Sequence, residues 1–132
     1  MTGNVTLKIL AVIAILFGAV TLKAGGTALF GGPEARAAVG DAVPFVLWFN
    51  TLAGIAYILA GIGLWLARRW AAHLAWLIAV ATLAVFAAFG VHALTGGAFE
   101  MRTVGAMTLR SLVWLAIAGL AWRSLLARGR PA

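Results

Sequence analysis

The chain has 132 residues, of which 64% are hydrophobic and only 10% charged, against about a quarter charged in soluble domains. That length makes a single domain, and a water-soluble fold this apolar could not cover its surface with polar groups, so the composition specifies an integral membrane protein. The net charge of +7 sits at the ends of apolar runs rather than in a basic stripe interleaved with aromatics, which excludes nucleic acid as a partner, and the absence of cysteine excludes thiolate chemistry and Cys-based metal or iron–sulfur sites.

A helical span needs about 20 mainly apolar residues to cross a hydrocarbon core of roughly 30 Å. Four stretches qualify, at about 6–28, 43–66, 70–94 and 104–125. The first begins like a signal peptide, with Lys8 ahead of an apolar run. Leu22, Lys23 and Ala24 stand where a small-x-small cleavage site belongs, so it is read as an uncleaved span. Gly25–Gly26 is a natural place for this helix to end, which leaves Lys23 interfacial; a helix continuing to Phe30 puts Lys23 inside the membrane. Residues 31–42 (GGPEARAAVGDA) form a polar loop. The second span opens with Pro44 in its first turn, where a missing N–H costs nothing. Residues 67–69 make a tight turn, and 95–103 (TGGAFEMRT) link the last two spans.

Helices are required because lipid offers no water to satisfy open backbone groups. Connections this short make neighbouring helices antiparallel, giving an all-α, up-down-up-down four-helix bundle. Lys8, Arg68, Arg69, Arg123, Arg128 and Arg130 fall on one side. Arg36, Arg102 and all three acids, Glu34, Asp41 and Glu100, fall on the other. The positive-inside rule then places both termini in the cytoplasm, with Trp65, Trp70 and Trp122 as an aromatic belt at that interface.

Few residues in the spans are polar. Asn50, Gly54, Tyr57 and Gly61 recur at intervals of four, three and four, a small-residue face that turns into the bundle. Asn50 is then either an interhelical hydrogen-bonding group or a ligand-facing amide, about 10 Å below the outer end of its span. His92 shares a register with Ala81, Val85 and Ala88. It is either a capping group bonded to a backbone carbonyl or a proton-exchanging or metal-binding imidazole. His73 belongs to the opposite end, about 28 Å along the helix axis, so the two histidines cannot clamp one haem within a subunit.

Arg110 lies about 9 Å into the last span. A guanidinium there costs a couple of kcal/mol unless it snorkels or is paired. It either snorkels outward, pairs with Glu100, or is a fixed positive charge for an anionic group. Lys23, Asn50, His92 and Arg110 come from four spans at similar depth, with Tyr57 below and Glu100 and Arg102 above. Together they suggest a polar, cationic pocket open to the outside. Met101 and Met107 with His92 offer soft copper ligands, but two methionines six apart do not share a helical face. No catalytic constellation, paired membrane carboxylates or phosphate-binding glycine loop is present.

The first span's ILFGAVTLK, with Gly18 and Lys23, followed by three more spans within about 130 residues, resembles the DoxX-like group of small four-span bacterial proteins. VPFVLWFN (43–50) and EMRTVGAMTLR (100–110) match no motif of that group. The resemblance implies a bacterial inner membrane and, from members that serve beside a catalytic partner in quinone-dependent oxidation of small sulfur compounds, quinone as a cofactor of the neighbourhood. No other cofactor is evident. The expectations for function are therefore a non-catalytic accessory subunit of a larger membrane complex or a homo-oligomer; a binder or transporter of a small anion, lipid or quinone headgroup; or a metal-handling or electron-transfer protein around His92.

Overall fold

A computed structural model describes residues 2–40 and 43–127; Asp41, Arg128 and Arg130, used above for orientation, lie outside them. The described residues are helical apart from short turns: α1 (Thr2–Phe30), α2 (Pro33–Val39), α3 (Pro44–Trp65), α4 (Arg69–Leu94) and α5 (Met101–Trp122), the last followed by a π-helical turn, Arg123–Ala127. Four of these helices are long and apolar enough to cross a membrane. Their surfaces are accordingly hydrophobic, with Leu16, Val20, Leu77, Val80 and Leu112 exposed, as lipid-facing positions must be.

Two boundaries differ from the sequence expectation. α1 does not stop at Gly25–Gly26 but runs to Phe30, because Gly25 is used for contact rather than termination: a Cβ there would collide with the Thr51 side chain of α3. Lys23 therefore lies seven residues, about 10 Å, short of the end of its helix. The loop at 31–42 contains the helical turns of α2, started by Pro33 at its first position, with Glu34 in the first turn, both favourable there.

α1 and α3 make the closest contact in the molecule. Gly18 meets the backbone oxygen of Gly54, Gly61 meets Ala11 and Ile15, and Gly25 meets Thr51. A Cβ on Gly18 would stand 2.7 Å from Gly54 O. Small residues at helical spacing let backbones approach in this way, replacing the hydrophobic drive that lipid removes with dispersion contacts. The main core then extends from Leu7, Leu10 and Ala14 through Tyr57, Leu64, Ala71 and Ala75 to Trp114, Ala118 and Leu125.

The turns at the ends of α3 and α4 have the same hydrogen bonds but different chemistry. Arg68 N–H bonds Gly63 O and Ala67 N–H bonds Leu64 O; Gly97 N–H bonds His92 O and Gly96 N–H bonds Ala93 O. Each is a Schellman closure, which needs a left-handed residue after the helix. Gly96 supplies it with φ 93°, whereas Ala67 is held at φ 56°. At the Ala67 end, Lys8 Nζ sits 4.0 Å over the ring of Trp65, and Trp65, Trp70 and Trp122 are all exposed.

Candidate functional site

At the opposite end, the start of α3 and the start of α5 stand apart. Between them lies a cavity of about 190 Å³ lined by Val43, Val46, Leu47, Asn50, Glu100, Arg102, Thr103 and Ala106. Its apolar wall is Val43, Val46 and Leu47, backed by the cluster that Val43 and Val46 form with Phe89 and Met107; Phe99 meets Phe89 edge-on at 5.6 Å. The end of α2 docks beside the polar wall. Gly40, at φ 62°, lies so close to the Glu100 carboxylate that a Cβ would sit 2.6 Å from Oε2, and Arg102 Nη2 donates to Ala38 O at 3.4 Å.

Arg110 is one helical turn below Ala106 and about 14 Å along α5 from Met101. Its Nη1 donates to Thr21 Oγ1 at 3.1 Å and to the Tyr57 hydroxyl at 3.2 Å. The guanidinium also faces the rings of Phe17, at 5.2 Å, and Tyr57, at 5.9 Å. Thr82 stands beside the Tyr57 hydroxyl, and its own Oγ1 donates to Ile78 O at 2.7 Å. Each of the four long helices thus contributes one side chain to a single polar node: Thr21, Tyr57, Thr82 and Arg110.

Placing a charge at this depth costs about 2.5–3.5 kcal/mol on insertion scales. Two charge-assisted hydrogen bonds and two aromatic faces offset it. Among the described residues no carboxylate bonds Arg110. The node also keeps unused capacity. Arg110 Nε, Trp114 Nε1, Ser111 Oγ and Asn50 Oδ1 are buried atoms without a hydrogen-bond partner among the described residues. Trp114 is held rigidly, fully buried and stacked on Tyr57 with ring centroids 4.8 Å apart. Buried polar atoms left unpaired in an apolar interior each cost about 1–3 kcal/mol.

Comparison with known protein families, curated proteins and solved structures finds no match. The roles of these residues therefore rest on their own geometry.

That geometry sorts the sequence candidates into two groups. Asn50, Glu100 and Arg102 line the cavity, and Arg110 with Tyr57 forms the node just beneath. Lys23 and His92 stand elsewhere. Lys23 is exposed on a separate groove with Val20 and Ala24. His92 Nε2 donates to Ala98 O at 2.9 Å, with its ring packed on Gly97, so the imidazole staples the α4–α5 connection. Among the soft-metal candidates, Met107 is fully buried in the apolar wall and Met101 is 73% exposed. Among the described residues, no group of three or more His, Cys, Asp or Glu side chains is arranged to share a metal ion.

Sequence reasoning missed Thr21, Phe17, Thr82 and Trp114. Thr21 was accessible to it, since Gly18, Thr21 and Gly25 share one face at intervals of three and four. Trp114 follows Arg110 by four positions and so projects from the same face.

Proposed function

We propose that this protein binds a small molecule with an anionic or strongly hydrogen-bond-accepting headgroup in the cleft between α3 and α5. Lipid, quinone and small-anion headgroups share that chemistry. The observation that carries the reading is Arg110: a half-buried guanidinium deep in a span, held by hydroxyls and aromatic faces, with Nε unpartnered. A headgroup entering past Glu100 and Arg102 meets the Asn50 amide first and the fixed charge next. Its apolar remainder lies against Val43, Val46 and Leu47.

On this reading the four spans alternate in direction in a bacterial cytoplasmic membrane, with both termini inside and the cavity opening to the outside. The paired contacts Ala11–Gly61, Gly18–Gly54 and Gly25–Thr51 support opposite directions for α1 and α3. The basic residues around the Trp65 end, including Lys8, Arg68 and Arg69, support the orientation.

The test is the melting temperature of detergent-solubilised protein against nitrate, inorganic phosphate, a short-chain phosphatidylglycerol and a soluble ubiquinone analogue. At least one probe is expected to raise it in the wild type and not in Arg110→Gln. A shift of equal size in Arg110→Gln refutes the site.

A second reading is a non-catalytic subunit of a larger membrane complex. The glycines at the α1–α3 seam are consumed within the chain, but Gly26, Gly90, Gly105 and Gly119 have open space where a Cβ would be, and such positions favour helix–helix contact in lipid. This reading expects a stoichiometric partner after mild solubilisation of native membranes. Recovery only as a free monomer contradicts it.

A further inference from the structure

The extension of α1 to Phe30 gives Lys23 a setting of its own. We infer that Lys23 and the groove between α1 and α2 hold one anionic phospholipid, independently of the cavity between α3 and α5. The groove has a volume of about 320 Å³ and is walled by Val20, Ala24 and Ala28 of α1 and Ala35 and Ala38 of α2, with Lys23 among them. Apart from Lys23 and Thr27, its walls are small aliphatic side chains, the surface that a flexible acyl chain fills with dispersion contact.

Lys23 supplies the charge complementarity. Its side chain is exposed, about 10 Å short of the end of a helix that crosses the membrane, so its ammonium must reach along its four-carbon stem to the headgroup layer. It points away from the glycine face that α1 gives to α3: Gly18, Thr21 and Gly25 are buried, whereas Lys23 and Ala24 are exposed. The position therefore serves lipid rather than the bundle. A phosphodiester with net negative charge satisfies an ammonium there, and the groove beside it takes one of that lipid's chains. A zwitterionic lipid brings its own cation to the same spot and gains less.

The experiment uses the full chain in nanodiscs of phosphatidylcholine with increasing phosphatidylglycerol, following melting temperature and, by native mass spectrometry, retained lipid. The wild type is expected to show a shift that saturates and one retained phosphatidylglycerol. Lys23→Gln is expected to lose both. Ala24→Leu, which keeps the charge but fills the groove, is expected to lose the retained lipid and most of the shift, and it decides the matter if Lys23→Gln does not fold. Lys8→Gln, which removes an exposed cation from the opposite end of α1, is expected to keep both. The proposal is overturned if the wild type shows no preference for phosphatidylglycerol, if the shift rises without saturating, or if Lys23→Gln and Ala24→Leu retain the lipid. Loss of the lipid only in Arg110→Gln also overturns it and assigns the lipid to the α3–α5 cavity.

Discussion

α3 meets α1 and α5 in opposite ways. Against α1 it is in backbone contact, so close at Gly18 and Gly54 that no methyl group fits. Against α5 it stands off at one end by a cavity of about 190 Å³ and regains contact only deeper, where Tyr57 stacks on Trp114. The two sides use polar groups differently. On the α1 side, Thr51 folds its hydroxyl back onto Leu47 O at 2.8 Å, which hides it from lipid. On the α5 side, Asn50 Oδ1 and Arg110 Nε are left without partners. The closed seam acts as a frame that holds Tyr57, and through it Arg110, in place.

The largest effect is expected from breaking the frame. Gly18→Val puts carbon atoms into the Gly54 carbonyl and the Ile58 side chain. Overpacking typically costs about 1–3 kcal/mol, and a backbone obstacle puts this variant at the upper end. Its melting temperature should fall at least as far as that of any variant on the open side. Wild-type stability in Gly18→Val would mean that the seam is not tight.

The next two substitutions sharpen the contrast at the node. Tyr57→Phe removes an acceptor from a charged donor and is expected to cost about 1.5–3 kcal/mol. Arg110→Met removes the charge with its bonds, and replacing an interior ion by an apolar side chain of similar size is often neutral or stabilising. Arg110→Met is therefore expected to be more stable than Tyr57→Phe, and unresponsive to any headgroup probe. The reverse order in thermal denaturation would show that Arg110 is a structural brace and not a binding group.

The smallest effects concern positions outside both faces. Ala67 occupies the left-handed position that Gly96 fills in the equivalent turn. A left-handed non-glycine residue costs roughly 1–2 kcal/mol, so Ala67→Gly should raise the melting temperature. Gly105→Ala, on an open helix surface, should gain up to about 1 kcal/mol from helix propensity. Loss of stability in Gly105→Ala would instead point to a partner packed on that face.

The spans were legible because lipid imposes their length and composition: α3 and α4 begin and end within a residue of the expected 43–66 and 70–94. The end of α1 was not, because a Gly–Gly pair reads as a stop in water and here supplies a close approach to Thr51. α2 was hidden by its seven residues, too few for a periodic pattern. At the site, composition and helical phase could nominate Asn50, Tyr57 and Arg110. They could not pair Arg110 with Thr21, 89 positions away, or with Tyr57, 53 positions away, because that depends on how the helices rotate about their axes. The same limit placed Lys23 and His92 in a shared pocket from depth alone. Depth is set by sequence position, whereas facing is set by packing.

The central claim is that Arg110 receives the headgroup of a bound molecule. Its most direct test is native mass spectrometry of protein released gently from its own membrane, comparing wild type with Arg110→Gln at matched folding. A small molecule with an acidic or carbonyl-bearing headgroup is expected to be retained by the wild type and absent from Arg110→Gln. The same molecule retained equally by both proteins would contradict it.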